Sequence, residues 1–280
     1  MRFGVIIPRG TLHEIISLAE DAEKAGWDGV FTWDGIYIPG AGETPTFDPW
    51  VLMAGMAMRT SRVTLGAIIM PLSRRRPWKV AREAVTLDHL SNGRLVMPVG
   101  LGALDDMGFG GVGEPTDRKT RAELLDESLD ILTGLWTGQP FAYEGKHYHL
   151  AEMTFRPTPM QRPRVPIWVV GAWPHERSLA RAARYDGIIT AVASSQGDHA
   201  ELTPAVVASI RDWMRSHRES ASPFEIQVEG STPADPASAR AIVTPWAEAG
   251  ATWWTEEWWD STMTVAHIRE RILAGPPQLG

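Results

Sequence analysis

The sequence predicts an α/β protein folded as a (β/α)₈ TIM barrel with a short hairpin insertion, and three observations predict it. Short β-branched runs alternate with amphipathic stretches from one end to the other, the pattern of successive βαβ units and hence of a parallel sheet. Eight such runs can be counted, the number that closes a barrel. The first strand-to-helix turn, Pro8-Arg9-Gly10-Thr11, lacks the Gly-x-Gly-x-x-Gly fingerprint of an open dinucleotide-binding sheet.

The expected strands are Phe3–Pro8, Gly29–Trp33, Val63–Met70, Leu95–Val99, Pro166–Val170, Gly187–Ala191, Phe224–Val228 and Ala251–Thr255. Most are continuous apolar runs, as strands buried on both faces should be. Helix starts are marked by the capping-box pattern Thr11-Leu12-His13-Glu14 and by Asp48-Pro49 and Asp235-Pro236, each an N-cap followed by Pro at the first helical position. In the longest helix, Asp117 to Trp136, residues Leu125, Leu129, Leu132 and Trp136 form one stripe toward the strands. The stretch 137–165 breaks the rhythm with two strand-like pieces, Phe141–Tyr143 and His147–Leu150, and reads as a hairpin between βα units. No composition shift marks a linker, so residues 1–280 are expected to form one domain.

Composition narrows the function. A 44% hydrophobic share with 22% charged residues supports a sizeable core. The absence of cysteine removes disulfides, thiolate nucleophiles and cysteine metal sites, and suits a reducing cytoplasm. The apolar stretch at the N-terminus is too short for a signal-peptide core or a membrane span. A net charge of −7 with no long basic run argues against a nucleic-acid partner.

In a barrel, residues just after each strand line the mouth where active sites form. That rule selects Trp33 and Asp34, the 69–76 segment, Gly100 to Gly102, Gly171-Ala172-Trp173, and Glu256-Glu257-Trp258-Trp259. Asp34 is the candidate catalytic carboxylate, placed for proton transfer or for bonding a ring edge; the competing reading is a carboxylate that caps the loop before Gly35. Gly100-Leu101-Gly102 and Gly171-Ala172-Trp173-Pro174 are turns where backbone could approach a ligand or a phosphate, or tight turns and nothing more. Arg177 and Arg74–Arg76 are candidate contacts for an anionic tail, with a solvated surface as the alternative. Trp254, Glu256 and Trp258 are the candidate substrate-side residues, an aromatic wall suited to a flat guest. Asp88-His89 lies at the opposite rim and reads as structural. His147 and His149 share one strand face in a pattern that metal-dependent barrel hydrolases use, but the strand ends supply no further histidine, so no metal site is assigned.

Several segments together resemble one family. Thr86-Leu87-Asp88-His89-Leu90-Ser91-Asn92-Gly93-Arg94 followed by Val99-Gly100-Leu101-Gly102, Gly26-Trp27-Asp28-Gly29, Tyr143-Glu144-Gly145-Lys146-His147-Tyr148 and Pro166-Ile167-Trp168-Val169-Val170-Gly171 are similar, in order, to the luciferase-like monooxygenase superfamily. The resemblance implies an oxidoreductase, commonly a homodimer, that uses reduced FMN or coenzyme F-420 on a small organic substrate. It implies a bulge, often with a non-prolyl cis peptide, within Ala67-Ile68-Ile69 beneath the ring, and a phosphate held by the amides of Gly171, Ala172 and Trp173. The chemistry implied is dioxygen activation at reduced FMN, with a flavin reductase as donor, or hydride transfer from the reduced deazaflavin. Deazaflavin members often carry Asp-His after strand two, where this chain has Asp34-Gly35, so both coenzymes stay open. A non-catalytic flavin-binding protein and a metal-dependent barrel hydrolase are the alternatives.

Overall fold

The computed structural model describes residues 1–38, 45–103, 105–193, 201–260 and 262–279. Its elements run β1 (Arg2–Ile6), α1 (Leu12–Lys24), β2 (Gly29–Thr32), α2 (Pro49–Arg59), β3 (Thr64–Ala67), β4 (Met70–Pro71), α3 (Pro77–Leu90), β5 (Met97–Gly100) and α4 (Arg118–Trp136). A hairpin of β6 (Pro140–Glu144) and β7 (His149–Thr154) follows, then β8 (Ile167–Trp173), α5 (Glu176–Ala183), β9 (Gly187–Val192), α6 (Pro204–His217), β10 (Glu225–Gly230), α7 (Pro236–Ala249), β11 (Trp253–Glu256) and α8 (Val265–Leu273).

Nine strands form one parallel sheet in the order β3-β2-β1-β11-β10-β9-β8-β5-β4. β3 and β4 are two halves of one strand position, separated at the Ile68–Ile69 peptide, which is cis. The break falls within the segment where the resemblance places its bulge. A parallel bridge between Leu65 and Leu95 joins the two edges, with Val96 N–H donating to Leu65 O at 2.9 Å. Eight strand positions thus close into a barrel, each followed by a helix among the described residues.

Strand alternation sorts side chains into two cores. One alternating set, including Val5, Val30, Leu65 and Val228, packs outward against the helices. Ile6, Phe31, Ile68, Val96, Trp168, Ile189 and Trp253 fill the barrel itself. Phe31 meets Trp253 edge-on at 5.9 Å, and such rings fit because Gly29 lies beside them: a Cβ there would come 2.9 Å from both. The expected stripe of α4 is inside, with Leu125, Leu129, Leu132 and Trp136 all buried.

The helix starts are built as the sequence suggested. Thr11 and Glu14 make both bonds of a capping box, and Asp48, Asp117 and Asp235 accept first-turn amides of α2, α4 and α7. At the other rim, the Asp88 carboxylate accepts the amides of Met160 and Gln161, while Arg94 donates to the carbonyls of Ala57, Thr60 and Val63. Much of the Thr86–Arg94 motif therefore stitches the N-terminal face of the barrel. Glu127 on α4 accepts the amides of Lys146, His147 and Tyr148, which seats the hairpin turn on that helix. Among the described residues no helix is long and apolar enough to cross a membrane.

Candidate active site

The mouth at the C-terminal ends of the strands is built from two unlike halves. On β10, Ile226 and Val228 belong to the outer core, so Gln227 and Glu229 point into the barrel. On β11 the same alternation turns Trp253 and Thr255 inward. Gln227 Nε2 donates to Thr255 Oγ1 at 3.1 Å and to Glu229 Oε1 at 3.3 Å, which joins the two strands below the mouth. Gln227 is 1% exposed and its Oε1 has no partner. Burial pushes the Glu229 carboxyl up to about 7; the nearby charge of Glu257 adds to the rise, and the Gln227 bond opposes it. An inward carboxyl that changes charge near neutral pH is suited to proton transfer.

The opposite half is clamped by ions. Arg74 reaches Asp34 at 3.0 Å and also binds Asp106, and Arg75 meets the other oxygen of Asp34 at 2.8 Å. Burial would raise the Asp106 carboxyl, but bonds from Arg74 and from the Tyr37 and Gly108 amides outweigh it and hold it below its ordinary value. The Asp34 side chain is 1% exposed. Both its oxygens are committed to guanidinium groups, so it anchors the loops after β2 and β4 instead of reaching a guest. Trp33, beside it, donates Nε1 to Pro8 O at 2.9 Å and meets Trp259 edge-on at 6.1 Å, forming an aromatic edge to the mouth.

Gly100 lies beside the strand break. A Cβ on it would come 2.5 Å from Ile69 Cδ1 and 2.8 Å from Val170 Cγ2, so its lack of a side chain gives Ile69 room. Ala67 is buried on the outer side, whereas Ile68 and Ile69 belong to the inner cluster. The Leu101 and Gly102 carbonyls are taken by Arg121, whose guanidinium stacks 3.9 Å from the Phe109 ring. This turn offers the mouth a braced wall.

Three expectations are corrected. Gly171, Ala172 and Trp173 are not loop residues: β8 extends through them and pairs with Thr190, Ala191 and Val192, and the Ala172 amide donates to Ser178 Oγ at 3.0 Å. The next helix, α5, starts at Glu176 and Arg177, and His175 before it supplies no side-chain cap. Trp254 and Glu256 point outward, because Trp253 and Thr255 hold the inward positions. Trp254 packs on Trp246 of α7, and Glu256 accepts from Thr232, Trp254 and Arg271 of α8. Trp258 is buried in the outer core. Finally, His147 lies in the turn before β7 and bonds Glu123, while His149 bonds Glu144, so the two rings serve separate carboxylates.

Sequence reasoning missed Glu229, Gln227 and Thr255. The signal was present as polar residues at alternate positions in Ile226-Gln227-Val228-Glu229, just where the apolar run ends. A cavity of about 180 Å³ also opens between Arg74–Arg76, Glu114, the start of α4 and the hairpin residues His147 and Tyr148. Among the described residues no three His, Asp or Glu side chains are grouped to hold a metal ion.

Comparison with known proteins agrees with this architecture. An F420-dependent glucose-6-phosphate dehydrogenase of Intrasporangium calvum is 30% identical over 246 residues, which cover 86% of this chain and 72% of that protein. Across the relatives of that name the match spans 57% to 72% of their length. The coenzyme F420 dependent tetrahydromethanopterin reductase of Methanopyrus kandleri superposes with a TM-score of 0.75 at 15% identity, covering 98% of this chain and 96% of that one. The oxygenating constituent of 3,6-diketocamphane monooxygenase from Pseudomonas putida, solved with FMN, gives 0.65 at 17% identity over 87% of this chain and 71% of that one. The model of the luciferase-like monooxygenase family matches residues 1–278. The chain belongs to the luciferase-like monooxygenase family.

Proposed function

We propose that residues 1–280 form one catalytic domain that uses reduced FMN or coenzyme F420 to oxidise or reduce a small organic molecule, with Glu229 as the proton donor and acceptor. The observation that carries this reading is Glu229 itself: an inward carboxyl on β10, at the barrel mouth, poised between its two charge states near pH 7. Relatives named for F420 and a neighbour solved with FMN support the coenzyme class.

The residues present fit such a group. Ile68 and Ile69 offer an apolar bed for a flat ring, and Gly100 keeps Ile69 from being forced upward. Arg177 and the uncapped first-turn amides of α5 suit a phosphate, since a helix start presents N–H groups and positive dipole. When bound, the reduced ring supplies a hydride or reduces dioxygen. The protein supplies orientation and a water-poor floor, and Glu229 holds the proton that the substrate oxygen gains or loses. The Asp34–Arg74–Asp106 network keeps the loops after β2, β4 and β5 in register around the guest. We place the enzyme in the cytoplasm as a homodimer, with a flavin reductase as partner where FMN is the coenzyme.

Titrating the purified protein with FMN and with F420, oxidised and reduced, tests the reading through coenzyme fluorescence. Micromolar binding of one of them is expected. Binding of neither refutes the proposal, and full turnover by Glu229→Gln across the pH range refutes the role of Glu229.

A further inference from the structure

Gln227 is a polar side chain in an apolar place. In register it lies between Ile189 on β9 and Trp253 on β11, both members of the cluster that fills the barrel, and it is 1% exposed. A glutamine there has two N–H donors and a carbonyl acceptor to satisfy without water. The donor end succeeds and the acceptor end does not. Nε2 donates to Thr255 Oγ1 at 3.1 Å, to Glu229 Oε1 at 3.3 Å and to Val228 O at 3.4 Å, whereas Oε1 has no partner among the described residues. A buried acceptor with no donor lowers stability, and a methionine of nearly the same length would avoid that loss. An amide kept here in spite of it points to what its donor end touches, the Glu229 carboxyl.

The aim of the amide is fixed by two neighbours. Glu229 and Thr255 are register partners on β10 and β11, and Gln227 lies one inward step below Glu229 on its own strand. Thr255 is fully buried and its branched side chain has few rotamers, so Oγ1 anchors the amide while Nε2 addresses Glu229. A carboxyl oxygen that receives an N–H must act as an acceptor. That bond favours the ionised form and, in the neutral form, leaves the proton to the other oxygen. Burial and the charge of Glu257, which follows β11, both favour the neutral form, and the bond from Gln227 opposes them. The other ionisable groups near β10 are engaged elsewhere. Glu225, at the far end of the strand, pairs with Arg2; the Glu256–Arg271 pair lies on the outer face of β11; Arg9 donates to the carbonyls of Trp258 and Trp259. Strand β9, on the other side, has no ionisable residue from Gly187 to Val192.

We propose that Gln227, steadied by Thr255, is a positioning residue for proton transfer: its N–H keeps one oxygen of Glu229 as an acceptor, confines the proton to the other, and favours the carboxylate that can take a proton up. The inference rests on the oxidoreductase reading above and names what governs the proton at its site.

The experiment follows the Glu229 carboxyl directly, through carbon-13 resonances of the full chain labelled in its glutamate side chains, with no coenzyme added. The resonance is the one missing from Glu229→Gln. In the parent its midpoint is expected at about 7. Gln227→Met, which keeps the length and removes the donor, should raise the midpoint by at least about 0.5 pH unit, and Thr255→Val should raise it by less. Urea unfolding reads the same shift as a ratio: the unfolding constant of Gln227→Met relative to the parent should grow at least about threefold between pH 5 and pH 9. An amide that only fills space would leave the midpoint in place and the ratio flat, and either result overturns the inference. If Gln227→Met does not fold, an unmoved midpoint in Thr255→Val overturns it instead. A parent in which no glutamate titrates near neutral pH sinks the Glu229 reading itself, so the two failures are told apart.

Discussion

Glu229→Gln perturbs the mouth at the point where its chemistry and its stability meet. The Glu229 carboxyl rises from 4.5 to about 7, chiefly through burial. The folded chain therefore holds this proton more tightly than the unfolded chain does. The resulting stabilisation of the fold is fully present below pH 4.5 and is lost as pH climbs through about 7. At ~1.36 kcal/mol per tenfold change in proton affinity, ionising Glu229 costs about 3 kcal/mol, an upper figure because water partly reaches the mouth. Gln keeps the shape and removes the charge, so the advantage of the variant over the parent should grow from about 1 kcal/mol at pH 5 to about 3 kcal/mol at pH 8. Urea unfolding followed at several pH values measures it. A difference that stays flat across that range would refute the buried carboxyl, and with it the proton-transfer role. With the coenzyme bound, the same variant should lose the limb of the kcat/KM profile near neutrality.

Three further outcomes follow from particular contacts. Asp34→Asn leaves Arg74 and Arg75 short of a counter-charge in a buried hub, and should cost about 3 kcal/mol in chemical denaturation; a loss under about 1 kcal/mol would show the pair to be solvated. Gly100→Ala pushes Ile69 and Val170 apart, so coenzyme affinity measured by fluorescence should fall more than about tenfold alongside a stability loss of about 1–3 kcal/mol. Unchanged affinity would place the ring elsewhere. Thr11→Ala removes the capping box of α1 and should lower stability by about 1 kcal/mol in thermal unfolding, with no change in coenzyme affinity.

Periodicity and caps made the scaffold readable, because strand runs and N-cap residues act locally. All eight expected strands coincide with barrel positions, and Asp48 and Asp235 cap the helices that follow them. The site was harder, for reasons that are not local. Asp34 stood out as a strand-end carboxylate, yet its partners Arg74 and Arg75 lie 40 and 41 residues away, and nothing near Asp34 announces that they fold back onto it. Gly171-Ala172-Trp173 looked like a turn because glycine interrupts the apolar run; the strand continues because these residues keep pairing with Thr190, Ala191 and Val192, and glycine suits 171 because a Cβ there would collide with Ile188 on β9. Trp254 and Glu256 were placed by position alone, whereas strand parity decides which way a side chain points, and Trp253 and Thr255 have the inward parity. Parity would also have found Glu229, had the end of β10 been read as a polar layer over an apolar one.

The Arg74 hub has a mechanical consequence. One guanidinium serves carboxylates from two loops, and Asp106 in turn pins the amides of Tyr37 and Gly108. Three rim segments therefore share a single fastening. None of them can swing outward while the others stay put without stranding a charge where water is scarce. This flank of the mouth has in effect one coordinate of motion, so a guest that displaces any one segment is felt by all three at once.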